Sequence, residues 1–329
     1  MPLPWYDDDR CDDVMRVEFS CLESEEWWRS LRLDGLVLYS WGAPRYRRIA
    51  RAVHRAGIHL VVHLDSSGHF YGLFAPGTPW WRKLYVNIRG LGQDFLRARH
   101  LRYADIVTMS APTAEHLRHR LFYGEDIVEK CYPMPCPIMP ECCYDGTPKL
   151  SQILCVGRWD DVYQKRPEVL KETLDSYYSA KGTAKTLIYG RITQDLKQWH
   201  ANHPAREHIL LMGNAPHSEL TQAYRRSQVL LCTSLYESSH IVSAEALCCG
   251  CSVVTPPRAE DLRCVLWYTT KDSGTISKDD SPISLARALQ HELDQWQDGK
   301  RDPAAIAAEW SPHFHIDRIL KEIFNLGTP

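Results

Sequence analysis

Short apolar runs alternate with longer amphipathic segments along most of this chain, and the alternation predicts strands and helices in turn. In the second half, Ile153–Val156, Thr186–Tyr189, His208–Leu211 and Val229–Cys232 read as buried strands. Helices are predicted from Pro167, over Gln194–His200 and over Ser218–Arg226, with proline suited to a first helical position. Ser239–Cys249 reads as a helix stopped by Gly250, Ser252–Val254 as a further strand, and Ser281–Trp296 as an amphipathic helix with Ile283, Leu285, Leu289 and Leu293 on its apolar face. The first half gives strands at Gly35–Ser40, Gly57–Asp65 and Ala104–Ser110, with a helix at Arg45–Ala56. Strands that are apolar throughout need cover on both faces, so the pattern predicts an α/β protein with parallel sheets. Ligands of such sheets bind at the carboxyl ends of the strands, where Gly157-Arg158, Gly190-Arg191, Gly213-Asn214 and Glu237 fall.

The segment Tyr236-Glu237-Ser238-Ser239-His240 through Glu245-Ala246-Leu247-Cys248-Cys249-Gly250 carries the most specific signal. It sets one carboxylate on the loop after a strand and a second about two turns on, within the following helix. A carboxylate accepts from two neighbouring hydroxyls at once, which suits a polyol, and the helix start between the two suits an anion. Upstream, Val156-Gly157-Arg158-Trp159 and Gln164-Lys165-Arg166-Pro167 place two cations near a strand end and a helix start. Together these residues resemble the Glu-x7-Glu motif and phosphate-binding cations of the family 4 glycosyltransferases, retaining enzymes of the GT-B fold. The resemblance implies two Rossmann-like, doubly wound parallel-sheet domains facing across a cleft. It implies that Glu237 orients the donor sugar, that Glu245 holds the ribose, and that Arg158 and Lys165 stabilise the leaving diphosphate. The implied donor site comprises Gly157, Arg158, Lys165, Gly190, Arg191, Asn214, Glu237, Ser238, Ser239, His240, Ile241, Val242 and Glu245. The implied reaction moves a sugar from a nucleotide-diphosphate-sugar to a glycan, lipid-linked or small-molecule acceptor, with retention and with neither cofactor nor metal.

The resemblance also divides the chain. Residues 1–135 form an acceptor-side domain, 136–150 a connection, 151–305 the nucleotide-sugar-binding domain, and 306–329 a terminal helix crossing back to the first domain. Ala104-Asp105-Ile106-Val107-Thr108-Met109-Ser110 is similar to the family's strand before the connection, and the proline-rich Tyr132–Pro137 reads as a stiff linking segment. The family often sets a histidine at the cleft end of an earlier strand; in register that place falls on Asp65, with His63 on the same strand face. Both are therefore expected to line the reacting side, Asp65 foremost. Residues 1–34 lack an apolar strand followed by paired glycines, so this domain is expected to be shortened.

Composition refines the picture. The chain of 329 residues is 44% hydrophobic and 24% charged, which argues against extensive disorder. Its net charge is only −2, yet Gly35–Arg120 holds 13 Arg and Lys against 4 Asp and Glu. That excess suits phosphate-bearing ligands or an anionic membrane surface, or else marks solvated helix faces. No apolar run approaches the ~18 residues of a membrane span, so a cytoplasmic protein is expected, with peripheral contact at the inner membrane face and no nucleic-acid partner. Trp80-Trp81-Arg82-Lys83-Leu84-Tyr85 mixes aromatic and basic residues as membrane-surface segments do, or contributes tryptophans to the core. The 12 cysteines read as small core residues: Cys131, Cys136, Cys142 and Cys143 fit no standard zinc spacing, and no histidine lies close by. A non-catalytic or partner-dependent nucleotide-sugar-binding protein is the alternative function. A sugar-phosphate isomerase or epimerase would not need the Glu237/Glu245 pairing with Arg158 and Lys165.

Overall fold

The structure is a computed structural model that describes residues 15, 17–39, 44–64, 78–109, 121–235, 237, 239–257 and 268–325. Two short helices, α1 (Phe19–Leu22) and α2 (Glu25–Ser30), precede strand β1 (Gly35–Tyr39). Helix α3 (Pro44–Arg55), strand β2 (His59–Leu64), helix α4 (Trp80–Leu101) and strand β3 (Ile106–Met109) follow. After helix α5 (Glu125–Val128), strand β4 (Cys131–Pro133) completes a sheet of order β1-β2-β3-β4, parallel throughout.

The alternation along β2 shows how this sheet is covered. Leu60, Val62 and Leu64 face a core built with Ile49, Val53, Ala98 and Leu101 from α3 and α4. Val61 faces the other side, where it meets Ile106, Met134, Ile319 and Ile323. The last two residues come from the far end of the chain.

The second sheet is larger. Strand β5 (Leu150–Arg158) leads through α6 (Pro167–Ser179), β6 (Lys185–Arg191), α7 (Gln194–Asn202), β7 (Ile209–Gly213) and α8 (His217–Arg226) to β8 (Ser227–Leu231). Helix α9 (Ile241–Cys248), β9 (Ser252–Thr255), β10 (Gly274–Ile276) and α10 (Pro282–Gln297) complete it. The order is β10-β9-β8-β5-β6-β7, with every pairing parallel. Chain direction across the sheet therefore reverses at the β5/β8 boundary. In an open parallel sheet such a switch point leaves a crevice at the strand carboxyl ends, because the flanking connections depart to opposite faces.

Helices α11 (Pro303–Phe314) and α12 (Ile316–Asn325) end the described chain. Trp310 and Phe314 belong to the core of the second sheet, whereas Ile319 and Ile323 cover the first. The break falls at His315, where Ile138 bridges to the chain and donates its N–H to the Phe314 carbonyl at 3.2 Å.

The structure departs from the sequence expectations in three places. Tyr132 and Pro133, expected within the stiff linking segment, join Cys131 in an edge strand on β3, and the N–H of Met134 donates to the Met109 carbonyl at 2.6 Å. Pro133 is tolerated because it ends an edge strand. Trp80–Tyr85 begins a 22-residue helix rather than a core aromatic cluster, and Trp80, Trp81, Leu84 and Tyr85 are exposed. Strand β10 carried no apolar run long enough to announce it. No described helix is long and apolar enough to cross a membrane.

Candidate active site

The carboxyl ends of β5 and β6 lie in register, Gly157 against Gly190 and Arg158 against Arg191. Gly190 has φ of +106°, and a Cβ there would come within 1.9 Å of the Gly157 carbonyl oxygen. Only glycine fits both the backbone and the space. The two strands can thus close up and splay Arg158 and Arg191 side by side at the crevice rim. Arg191 pairs with Asp160 at 2.6 Å. Arg158 is largely exposed and reaches Asp161 and Gln164 at 3.4 Å each.

The loop after β5 carries Gln164 and Lys165 inward to Glu237, which follows β8 across the switch point. Lys165 Nζ bonds Glu237 Oε1, and Gln164 Nε2 donates to Glu237 Oε2 at 3.1 Å. His240 Nε2 lies 3.7 Å from Glu237 Oε1. Burial alone would raise the Glu237 pKa, but the Lys165 ammonium holds it below the usual carboxylate value. Burial likewise acts to lower Lys165, and Glu237 reverses the sign, so its pKa is raised. Both groups are charged near neutral pH, as a buried ion pair must be to persist. Burial pushes the His240 imidazole down to about 4 against the opposing pull of Glu237, so this ring is neutral, and its Nδ1 lies 2.6 Å from Ser243 Oγ.

Glu237, Lys165, Gln164 and His240 thus form one buried polar knot at the switch point. Gln164 and His240 join the carboxylate directly, and Gln164 also bridges to Arg158. Gln164 was not singled out by the sequence; its only signal was adjacency to Lys165. Helix α9 starts at Ile241, which is exposed, with Val242 half-buried beside it. Ser239 is half-buried and its Oγ finds no partner among the described residues. Asn214, after β7, is exposed beyond Gly213, which has φ of +76°.

Glu245 sits in a second cluster. Its Oε2 accepts from the Tyr224 hydroxyl at 2.9 Å, and its Oε1 lies 2.9 Å from His217 Nε2. His217 Nε2 is also 3.7 Å from Cys142 Sγ. The sequence expectation that no histidine lies close to Cys142 therefore fails in space: His217 opens a helix of the second sheet, and the connection folds Cys142 onto it.

His63 is placed differently from the sequence expectation of a cleft-lining group. Its Nδ1 lies 2.9 Å from Thr108 Oγ1 and its Nε2 3.1 Å from Cys136 Sγ. The ring is buried, and burial pushes its pKa down to about 4. With both nitrogens engaged and the ring neutral, His63 ties β2 to β3 and to the start of the connection. Asp65 and Ser238 lie outside the described residues.

Residues 151–295 match the model of the family described as Glycosyl transferases group 1. No curated protein matches the chain by sequence. Among solved structures, the chain is similar to Anabaena HepE in complex with UDP, with TM-score 0.59 and 14% identity over 88% of this chain and 78% of that one. It is similar to sucrose-phosphate synthase from Thermosynechococcus elongatus, with TM-score 0.63 and 15% identity over 92% and 76%. A glycosyltransferase from Rickettsia africae gives TM-score 0.62 and 15% identity over 96% and 83%. These likenesses establish the fold as GT-B, two parallel-sheet α/β halves.

Proposed function

We propose that the protein is a glycosyltransferase that uses a nucleotide-diphosphate-sugar and retains the configuration of the transferred sugar. The observation that carries this reading is the Lys165–Glu237 pair, buried at the topological switch point of a sheet in the region that matches the glycosyl transferases group 1 model. A switch-point crevice with a buried cation, a rim arginine and a helix start is built for a diphosphate, while a buried carboxylate beside it is built for sugar hydroxyls. In this reading Lys165 and Arg158 stabilise charge that builds on the departing diphosphate, and Glu237 orients the sugar. The leaving phosphate takes the proton of the attacking acceptor hydroxyl, which comes from the same face. Glu245 adjoins the ribose with the lone pairs that Tyr224 and His217 leave unused. UDP is the first nucleotide to test, since the similar HepE structure holds it.

The acceptor side of this proposal rests on α4. Trp80, Trp81, Leu84, Tyr85, Ile88 and Phe95 follow helical spacing and are all exposed, with Lys83 and Arg89 exposed among them. That face suits the interfacial zone of an anionic membrane and so a lipid-linked acceptor. Arg82, on the same helix, stacks its guanidinium 4.0 Å above the Tyr163 ring, two residues from Lys165. The acceptor-side helix is thereby in direct contact with the loop that carries the donor-site lysine.

The test is turnover. Purified chain incubated with a panel of nucleotide-sugars and anionic vesicles containing lipid-linked glycans should release nucleoside diphosphate and label the lipid fraction. Tight nucleotide binding without release under any of these conditions would favour the non-catalytic binding protein instead.

A further inference from the structure

The Glu245 cluster has the composition and surroundings of a metal centre. Cys142 Sγ, His217 Nε2 and a Glu245 carboxylate oxygen lie within 4.8 Å of one another. These donors come from the connection, the start of α8 and the middle of α9. One thiol, one imidazole and one carboxylate make a three-donor set of types that divalent zinc accepts, with the fourth position left to water. With metal–sulfur bonds of about 2.3 Å and metal–nitrogen bonds of about 2.0 Å, a tetrahedral site needs sulfur and nitrogen about 3.5 Å apart. Cys142 Sγ and His217 Nε2 are 3.7 Å apart, and His217 Nε2 and Glu245 Oε1 are 2.9 Å apart, so only a small widening admits an ion.

The atoms around the donors point the same way. Glu141 Oε1 lies 3.5 Å from His217 Nδ1, which makes no hydrogen bond among the described residues, so this carboxylate stands where it would hold the Nδ1 proton and leave Nε2 to a metal. Tyr224 fixes Glu245 through the other carboxylate oxygen, at 2.9 Å, and Thr221 Oγ1 lies 3.7 Å from Cys142 Sγ. Cys142 and Glu245 are buried, while His217 is half-exposed and provides the way in. The spacing 142, 217, 245 is too scattered to show in sequence as a metal motif.

We propose that Cys142 Sγ, His217 Nε2 and Glu245 Oε1 bind one zinc ion, which pins the connection to α8 and α9 and keeps a fourth position for water. On binding, the Cys142 thiol releases its proton to solvent, His217 presents an unprotonated Nε2, and the metal takes the place of the His217 contact on Glu245. The lone pairs left for a ribose are unchanged, so the proposal stands apart from the nucleotide reading.

The full-length protein, held reduced by a phosphine, would be titrated with cobalt(II) and then with zinc(II). One cobalt per chain should give the visible bands of a tetrahedral ion and a thiolate charge-transfer band, both abolished by zinc. Cys142→Ser should abolish the charge-transfer band, whereas Cys249→Ser, outside the donor set, should keep it. Glu141→Gln, at an exposed position that contributes no donor, should keep the bands and weaken zinc binding by about tenfold. A folded wild-type protein that gives no charge-transfer band overturns the proposal, as does a band that survives unchanged in Cys142→Ser.

Discussion

The two sheets of this chain are both parallel and both covered on two faces, yet they are put to different use. The second sheet reverses direction between β5 and β8, and the buried Lys165–Glu237 pair lies at that boundary. The first sheet runs β1 to β4 without reversal, and its buried polar residues, such as His63 and Thr108, are paired with one another inside it. What the first half offers instead is outside the sheet: the exposed apolar and basic face of α4. A switch point thus makes a place for a charged ligand, whereas an unreversed sheet spends its polar side chains on internal ties and leaves binding to a helix.

This contrast breaks most clearly at Lys165. Lys165→Ala leaves Glu237 buried without its counter-ion, and such a loss costs about 3–5 kcal/mol. Denaturant unfolding should show it, together with loss of nucleotide binding. A Lys165→Met, Glu237→Gln double variant should recover most of the stability but none of the binding, which separates the fold's use of the pair from the ligand's.

Gly190→Ala is the next largest. The residue has φ of +106° and its new Cβ would strike the Gly157 carbonyl, so a loss of about 3 kcal/mol is expected in the second sheet. An equivalent change at Gly57, which has φ of +78° with nothing near its missing Cβ, should cost only the backbone strain of about 1 kcal/mol.

Acid should act on the first half. Burial lowers His63 and His100 to about 4 from 6.5, so between those values the unfolded chain binds more protons than the folded one. Each histidine therefore contributes up to about 3 kcal/mol that is fully present above the unfolded value and is lost as the pH falls through the folded one. His63→Gln should flatten the slope of stability against pH over that window. His240 obeys the same sign in the second half, so Glu237 protonation and histidine charging should weaken both halves at low pH.

The smallest effect on folding is expected on α4. Trp80→Ser with Trp81→Ser alters exposed side chains and should change stability by less than about 0.5 kcal/mol. Binding to anionic vesicles, measured by co-sedimentation, should nevertheless fall about tenfold or more, since each ring loses its apolar burial in the interface. Equal vesicle binding by wild type and variant would remove α4 from the acceptor side.

Much of the second half was legible because its signals are local. Glycine after an apolar run marked the ends of β5 and β6, and Glu237 and Lys165 stood at predicted strand and helix ends, where the structure joins them. The failures involve distant partners. His63 shares a strand face with the expected cleft position, but Thr108 and Cys136 arrive from 45 and 73 residues away and enclose it. The connection's first residues were read as stiff because of their prolines, yet β3 had an open edge that Cys131–Pro133 could pair with. The α4 helix was hidden because its buried face carries Asp94, Arg97 and His100 while Trp80, Trp81, Leu84 and Ile88 are exposed, which inverts the usual apolar stripe. Likewise Cys142 and His217 are neighbours only after the connection folds across α8.

The central claim is that the Lys165–Glu237 crevice takes a nucleoside diphosphate. Calorimetric titration of the purified chain with UDP, GDP and ADP tests it most directly. The account predicts saturable binding of one of these by the wild type and its loss in Lys165→Met, Glu237→Gln, with the fold of that variant intact. A folded wild type that binds none of them, or a double variant that binds as tightly as wild type, would contradict it.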